Sequence, residues 1–254
     1  MGNGMDKILP GLYVGNIRDG CDKEQIKNNN ITHILSVHED AKPGLMENVK
    51  YLCIKAGDNA SQDLKQYFIE AIDFIHSARV NNGNVLVHCL AGVSRSATLA
   101  ISYVMVVTSL PWYDSMNAAR AARERINPNF GFQRQLQNFE FTNIKTVRED
   151  LFLKYGPYDN SEDIALCKSL LEKYQSKQEE FSQNSNNQQQ ISAGTIKTYP
   201  LAFNSYNLDK EKVKNTLKVY KKKNRVVEQS EVKETDDKKE AKNEKEIIMD
   251  KIFS

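Results

Sequence analysis

The sequence predicts an α/β fold with a central mixed, mostly parallel sheet flanked by helices. Four short apolar or β-branched runs, each bounded by turn-forming residues, have the composition of buried strands: 12–14, 31–37, 49–54 and 84–88. Between the third and fourth runs, apolar residues recur at helical spacing: Leu64, Phe68, Ile72 and Ile75. A helix that joins two strands is typical of an α/β layer fold.

The helix before the fourth strand is predicted to begin at an N-cap, Ser61, and to end at Gly83. Three more helical patterns follow the fourth strand: Ser96 to about Ser109, Pro111 to about Arg125, and Phe130 to about Asn143. Because the first of these is apolar nearly all round, it is predicted to be the central buried helix.

The chain divides into two parts of different composition. Residues 4–146 carry the alternating strands and helices and are predicted to form one domain. Residues 147–254 contain polar tracts such as "QNSNNQQQ" at 183–190, which bury too little apolar surface to fold alone. This second part is predicted to be a low-complexity, largely disordered tail with transient helices.

The overall charge and the cysteines exclude several classes of protein. Thirty-five basic residues stand against 33 acidic ones, so no global field attracts nucleic acid, and no nucleic-acid partner is expected. The four cysteines form no C-x-x-C pair, and there is neither a signal peptide nor a long apolar run. A cytoplasmic protein with free thiols and no metal or other cofactor is predicted, with membrane association and a nuclear location left open.

The stretch "VLVHCLAGVSRSA" at 85–97 has the features of an anion-binding loop. A strand that ends at His88 and a helix that starts near Ser96 leave the intervening backbone N–H groups converging on one point. Cys89 lies at that point, where the positive field favours the nucleophilic thiolate over the thiol. Arg95 can bind two phosphate oxygens bidentately.

Three neighbours complete the pattern. Gly92 permits a backbone conformation closed to other residues and a close approach to the ligand. Ser96 has two readings: it donates a hydrogen bond to the Cys89 sulfur, or it caps the helix. His88 is interpreted as a supporting hydrogen-bonding residue rather than a proton shuttle, and a zinc site is not indicated because no second ligand pair lies at metal spacing.

The segment "VHCLAGVSRS" resembles the signature of cysteine-dependent protein tyrosine phosphatases, in the form of the dual-specificity branch. The likeness extends over roughly residues 1 to 145. Within this branch, the sequence resembles the small atypical subgroup whose N-terminal glycine is myristoylated. The tail after about residue 150 has no evident counterpart. The resemblance implies a phosphatase-like fold and hydrolysis of phosphotyrosine and of phosphoserine or phosphothreonine through a cysteinyl-phosphate intermediate. It also implies that the phosphate is bound by Leu90, Ala91, Gly92, Val93, Ser94 and Arg95.

The reaction needs a proton donor for the departing oxygen. Asp58 lies in the polar loop "KAGDNASQD" after the third strand, near the strand ends where Cys89 emerges, and the resemblance places the general acid here. Its alternative reading is a turn or helix-capping aspartate. Asn127 resembles an asparagine that supports the phosphate loop, and its alternative reading is a turn former before Pro128.

Other functions remain possible on the residues alone. A catalytically weak phosphoprotein-binding module could lose Cys89, Arg95 or Asp58, yet all three are present. A phosphoinositide or RNA 5′-triphosphate phosphatase would favour basic loop residues, whereas Leu90, Ala91 and Val93 are apolar. Phosphoprotein substrates, with signalling kinases as possible partners, are therefore the preferred prediction.

A membrane surface is a further possible partner. Gly2 offers an acylation site, although Asp6 stands where the myristoylation pattern has serine or threonine. Because one acyl chain binds membranes only marginally, the basic segment 210–225 is a candidate second attachment. Its alternative reading is a solvated run of charges in a disordered tail.

Overall fold

The computed structural model describes residues 4–44 and 46–189, and this part of the chain forms a five-stranded sheet. The strands are β1 (Asp6–Leu9), β2 (Leu12–Gly15), β3 (Ile31–Val37), β4 (Lys50–Ile54) and β5 (Asn84–His88). Their order across the sheet is β1-β2-β5-β3-β4. β1 is antiparallel to β2, and the other neighbours are parallel, which confirms the predicted mixed, mostly parallel sheet.

Helices cover both faces of the sheet. They are α1 (Lys23–Asn28), α2 (Phe68–Val80), α3 (Arg95–Thr108), α4 (Trp112–Ala122), α5 (Phe130–Thr142), α6 (Ile144–Tyr155) and α7 (Ser161–Gln189). α1 packs Ile26 with Ile34 and Leu86 on one face of the sheet. The opposite face carries the larger core, in which α3 is buried along its whole length, as its apolar sequence predicts.

The structure differs from the sequence-based expectations at two places, the start of α2 and the strand β1. Ser61 does not cap α2, because its N–H and hydroxyl both bond the side chain of Asn59, and the helix begins only at Phe68. The reason is a tertiary contact: the amide oxygen of Gln135 in α5 accepts the N–H of Leu64 and so fixes the chain before the helix. The sequence patterns also missed β1, a strand of four residues.

The packed structure continues past residue 146, the predicted end of the domain. Val147 and Leu151 of α6 and Cys167 of α7 are buried in the main core. α7 is held by a buried bidentate ion pair between Arg79 of α2 and Asp163, with the closest N–O distance 2.6 Å. These helices have mostly polar faces, so the few residues that attach them are not evident from composition.

The remaining tail predictions fall partly outside this region. α7 runs to Gln189 and so includes residues 183–189 of the polar tract. Gly2 and the basic segment 210–225 lie outside the described residues. Within the described part of the chain, no helix is long and apolar enough to cross a membrane.

Candidate active site

The loop between β5 and α3 surrounds the sulfur of Cys89. Cys89 follows the last residue of β5 and is only 1% exposed. Its Sγ accepts a hydrogen bond from the backbone N–H of Gly92 at 3.2 Å and from the hydroxyl of Ser96 at 3.2 Å. The parallel strand thus delivers the sulfur to the N-terminal end of the buried helix, where unpaired N–H groups favour an anion.

These contacts decide the charge of the thiol. Burial raises the pKa of Cys89, but hydrogen bonds from the Ser96 hydroxyl and from the backbone N–H groups of Ser96, Val93 and Gly92 outweigh it. The net pKa therefore lies below the ordinary value for cysteine. A sulfur with a lowered pKa carries more thiolate at neutral pH and is the better nucleophile.

Ser96 and His88 occupy the positions expected of supporting residues. Ser96 directs its hydroxyl to the sulfur, whereas the residue at the N-cap of α3 is Ser94, whose side chain makes no capping bond. Burial lowers the pKa of His88 to about 4, so its ring is neutral at physiological pH. The ring is packed against Gly20, where an added Cβ would lie 2.6 Å from Nε2, and a neutral, enclosed imidazole fits a structural role.

Arg95 presents a free donor to the loop. The residue is 5% exposed, and its Nη1 donates to the carbonyl of Ala56 at 3.0 Å. Its buried Nε has no hydrogen-bond partner among the described residues, and the nearest carboxylate oxygen, Oδ2 of Asp58, lies 3.6 Å away. This distance exceeds a normal hydrogen bond, so the Nε–H is available to a phosphate oxygen.

Asp58 lies beside this loop and is held there by two hydrogen bonds. Its Oδ1 accepts the Ser94 hydroxyl at 2.7 Å and the side-chain N–H of Asn129 at 2.9 Å. The Asp58 side chain is 33% exposed, so it faces both the loop and solvent. The loop after β4, the loop after β5 and the start of α5 therefore meet at one point, with a carboxyl group beside the arginine.

Asn127 contacts the loop through its backbone rather than its side chain, and Asn129 makes a separate contact with Asp58. The side chain of Asn127 accepts a hydrogen bond from Arg120, and only its backbone N–H supports the loop, by donating to the Val93 carbonyl at 2.9 Å. The Asn129 side chain instead bonds Asp58 and also caps α5. A helix-capping asparagine immediately before Phe130 is a recognisable sequence pattern, but its second bond to Asp58 is not.

The rim of the loop is apolar. Leu90 is 45% exposed and Ala91 is also exposed, whereas Gly92 and Ser94 are buried and Val93 is partly buried. Among the described residues, no group of three or more His, Cys, Asp or Glu side chains could hold a metal ion. The polar groups that meet at this site are the Cys89 sulfur, the Arg95 guanidinium, the Asp58 carboxyl and the loop N–H groups.

A buried cysteine of lowered pKa under converging N–H groups, next to an arginine donor and a carboxyl group, defines a cysteine-dependent phosphatase. The family model described as "Dual specificity phosphatase, catalytic domain" matches residues 12–142. The chain belongs to this family and is a protein tyrosine/serine/threonine phosphatase, as the resemblance implies.

Known relatives cover most of the described chain. Human "Dual specificity protein phosphatase 22" is 53% identical over 165 residues, which are 64% of this chain and 89% of that protein. "Dual specificity protein phosphatase 22-A" of Danio rerio is 44% identical over 208 residues, 81% of this chain and 97% of that protein. The prediction that the chain after about residue 150 has no counterpart is therefore wrong, since an alignment of this length extends beyond that point.

Solved structures agree with the fold. The crystal structure of DUSP15 matches with a TM-score of 0.59 and 46% identity, covering 61% of this chain and 99% of that chain. The central mixed sheet with flanking helices is thus the fold of the dual-specificity phosphatases.

Proposed function

We propose that dephosphorylation proceeds through Cys89, Arg95 and Asp58. The Cys89 thiolate attacks phosphorus and forms an S–P bond while the P–O bond to the substrate side chain breaks. Asp58 donates a proton to the departing oxygen. Arg95 and the loop N–H groups bind the non-bridging oxygens, on which charge is redistributed in the transition state.

The cysteinyl phosphate is then hydrolysed. A water molecule attacks phosphorus, its proton passes to the Asp58 carboxylate, and the S–P bond breaks to release inorganic phosphate and the thiolate. The Ser96 hydroxyl donates its hydrogen bond to the departing sulfur, the contact it already makes at 3.2 Å. The observation that carries the proposal is the set of donors around the Cys89 sulfur, with Asp58 held beside Arg95.

The rim of the loop supports phosphoprotein substrates over more highly charged ones. Leu90 and Ala91 are exposed apolar residues, and they can contact the peptide that flanks a phosphorylated side chain. A phosphoinositide or an RNA 5′-triphosphate carries further charges that loop lysines or arginines would bind, and Arg95 is the sole basic residue of 89–96. Signalling kinases, themselves phosphoproteins, are proposed substrates, and nucleic acid is not.

The proposal is tested by turnover of phosphotyrosine and phosphothreonine peptides, with a phosphoinositide as the alternative substrate. The full chain should hydrolyse the peptides, and Cys89→Ser should not. Turnover of the phosphoinositide with higher kcat/KM than either peptide would contradict the choice of substrate class.

We further propose that the protein resides in the cytoplasm and binds a membrane surface through acylated Gly2 and the basic segment 210–225. Eight basic residues of this segment stand against one acidic residue, which suits an anionic lipid surface. The two attachments are needed together, because a single acyl chain gives only marginal binding.

Gly2→Ala is expected to move most of the full chain from the membrane fraction to the soluble fraction of cells that express it. The reason is that alanine cannot accept the acyl group. Gly4→Ala is the matched control, since a Cβ there would meet only Gln25 Oε1 at 3.6 Å. An unchanged membrane fraction for Gly2→Ala would show that acylation is not the attachment.

A further inference from the structure

Arg123, which follows α4, connects the N-terminal segment with the phosphate-binding loop. Its side chain is 1% exposed, and its Nε donates to the carbonyl of Gly92 at 3.0 Å. Its Nη1 donates to the carbonyl of Gly4 at 3.0 Å and to Oδ2 of Asp6 at 2.5 Å. One guanidinium therefore holds together two parts of the chain that are far apart in sequence.

The Gly92 carbonyl that Arg123 holds belongs to the peptide unit that follows a glycine in the left-handed region. Gly92 has φ +69°, and an added Cβ would lie 2.5 Å from the Gly15 carbonyl oxygen and 2.6 Å from Nη2 of Arg123. Only glycine fits this position, yet glycine also offers the least resistance to rotation of the peptide that follows it. The loop thus needs a contact that selects one orientation.

The hydrogen bond from Arg123 supplies that contact. The carbonyl of Gly92 and the N–H of Val93 belong to one planar trans peptide, so they point in opposite directions. When Arg123 holds the carbonyl on the outer side, the N–H must point inward, toward the Cys89 sulfur, whose pKa this N–H helps to lower. The next peptide is fixed in the same way, because the N–H of Asn127 donates to the Val93 carbonyl.

We propose that Arg123 is a positioning residue for dephosphorylation: by holding the Gly92 carbonyl, it keeps the Val93 N–H directed at the bound phosphate group. The proposal deepens the function proposed above and rests on it. Arg123 itself touches neither the sulfur nor the substrate and acts through the loop peptide.

The cost of burying Arg123 supports a role beyond stability. A buried guanidinium loses its hydration, and an apolar side chain of similar size is often as stabilising in such a place. Its buried Nη2 makes no hydrogen bond within the described residues, which adds to the loss. Because Asp6 neutralises the guanidinium, we expect the hydrogen bond to Gly92, rather than the positive charge, to act on the loop.

Two variants of the full chain test this role, Arg123→Met and Arg123→Lys. Methionine removes every donor, whereas lysine keeps the charge but cannot bond Gly92, Gly4 and Asp6 at once as the guanidinium does. We expect Arg123→Met to weaken binding of tungstate, a phosphate analogue, about tenfold. The midpoint of the pH profile for alkylation of Cys89 by iodoacetamide should rise by about 1 pH unit, and Arg123→Lys should show smaller changes in the same directions.

The matched controls are Arg148→Met and Arg148→Lys. Arg148 also donates to two backbone carbonyls, those of Met105 and Val106, but at the opposite end of α3. These variants should lose thermal stability without changing tungstate affinity or the alkylation midpoint. Alkylation is assigned to Cys89 by mass spectrometry because the chain has four cysteines.

The proposal is overturned if folded Arg123→Lys matches the wild type in both tungstate affinity and alkylation midpoint. It is also overturned if the Arg123 variants, like the Arg148 variants, differ from the wild type only in thermal stability. Arg123→Lys decides the matter where Arg123→Met does not fold. Neither readout requires turnover, so failure of the Arg123 proposal can be distinguished from failure of the proposed function. If the proposed function is wrong, the wild type itself would fail to bind tungstate or would show no lowered alkylation midpoint.

Discussion

Replacing Cys89 with serine is expected to reduce kcat/KM for p-nitrophenyl phosphate and for a phosphotyrosine peptide by at least about 10⁴-fold. The hydrogen bonds that lower the pKa of Cys89 stabilise a thiolate, and a serine hydroxyl stays protonated in the same place. Steady-state turnover at neutral pH, with the protein shown to be folded by circular dichroism, provides the measurement.

Cys21→Ser is the control for this variant, because Cys21 is exposed and takes no part in the proposed reaction. It should retain the activity of the wild type. If Cys89→Ser kept more than a few per cent of that activity, the nucleophile would have to be another group.

The second large effect is expected for Asp58→Ala, and its size should depend on the leaving group. Phenyl phosphate and a phosphotyrosine peptide release a strongly basic oxygen that needs a proton, so kcat should fall about 10²–10³-fold. p-Nitrophenyl phosphate releases a weakly basic oxygen, and its kcat should fall much less. The ratio of the two losses measures proton donation separately from any general damage to the site.

Two further variants show whether the ratio belongs to Asp58. Asp63→Ala removes a nearby carboxylate that accepts a hydrogen bond from the Gln66 N–H and does not contact the phosphate-binding loop. It should not reduce kcat for phenyl phosphate more than kcat for p-nitrophenyl phosphate. Ser94→Ala removes a 2.7 Å hydrogen bond to Asp58 and should give a smaller loss with the same dependence, about tenfold for phenyl phosphate. Equal losses for both substrates in Asp58→Ala would remove it as the general acid.

The order of residues around Cys89 made much of this site predictable. The run from His88 to Ser96 encodes a strand end, a loop and a helix start, and these local features alone bring the N–H groups to the sulfur. Four of the five strands were also predictable from local sequence, because they are short apolar or β-branched runs bounded by turn residues, whereas β1 was not.

The contacts that the sequence could not predict join residues distant in the chain. Asn129 and Asp58 are 71 residues apart, and Arg123 and Gly92 are 31 apart. Neither pair leaves a periodic or compositional pattern in the sequence, since each contact joins loop residues that meet only in the folded domain. The same holds for α7, a mostly polar helix that is attached through a few buried residues, among them Asp163 and Cys167.

The central claim is that the phosphoryl group passes through Cys89. A ³²P-labelled phosphotyrosine peptide mixed with the full chain and quenched with acid within milliseconds should yield label on the peptide that contains Cys89. Ser96→Ala should increase this label, because the departing sulfur loses its hydrogen bond and breakdown slows. Label on another residue, or turnover with no labelled protein in either form, would contradict the mechanism.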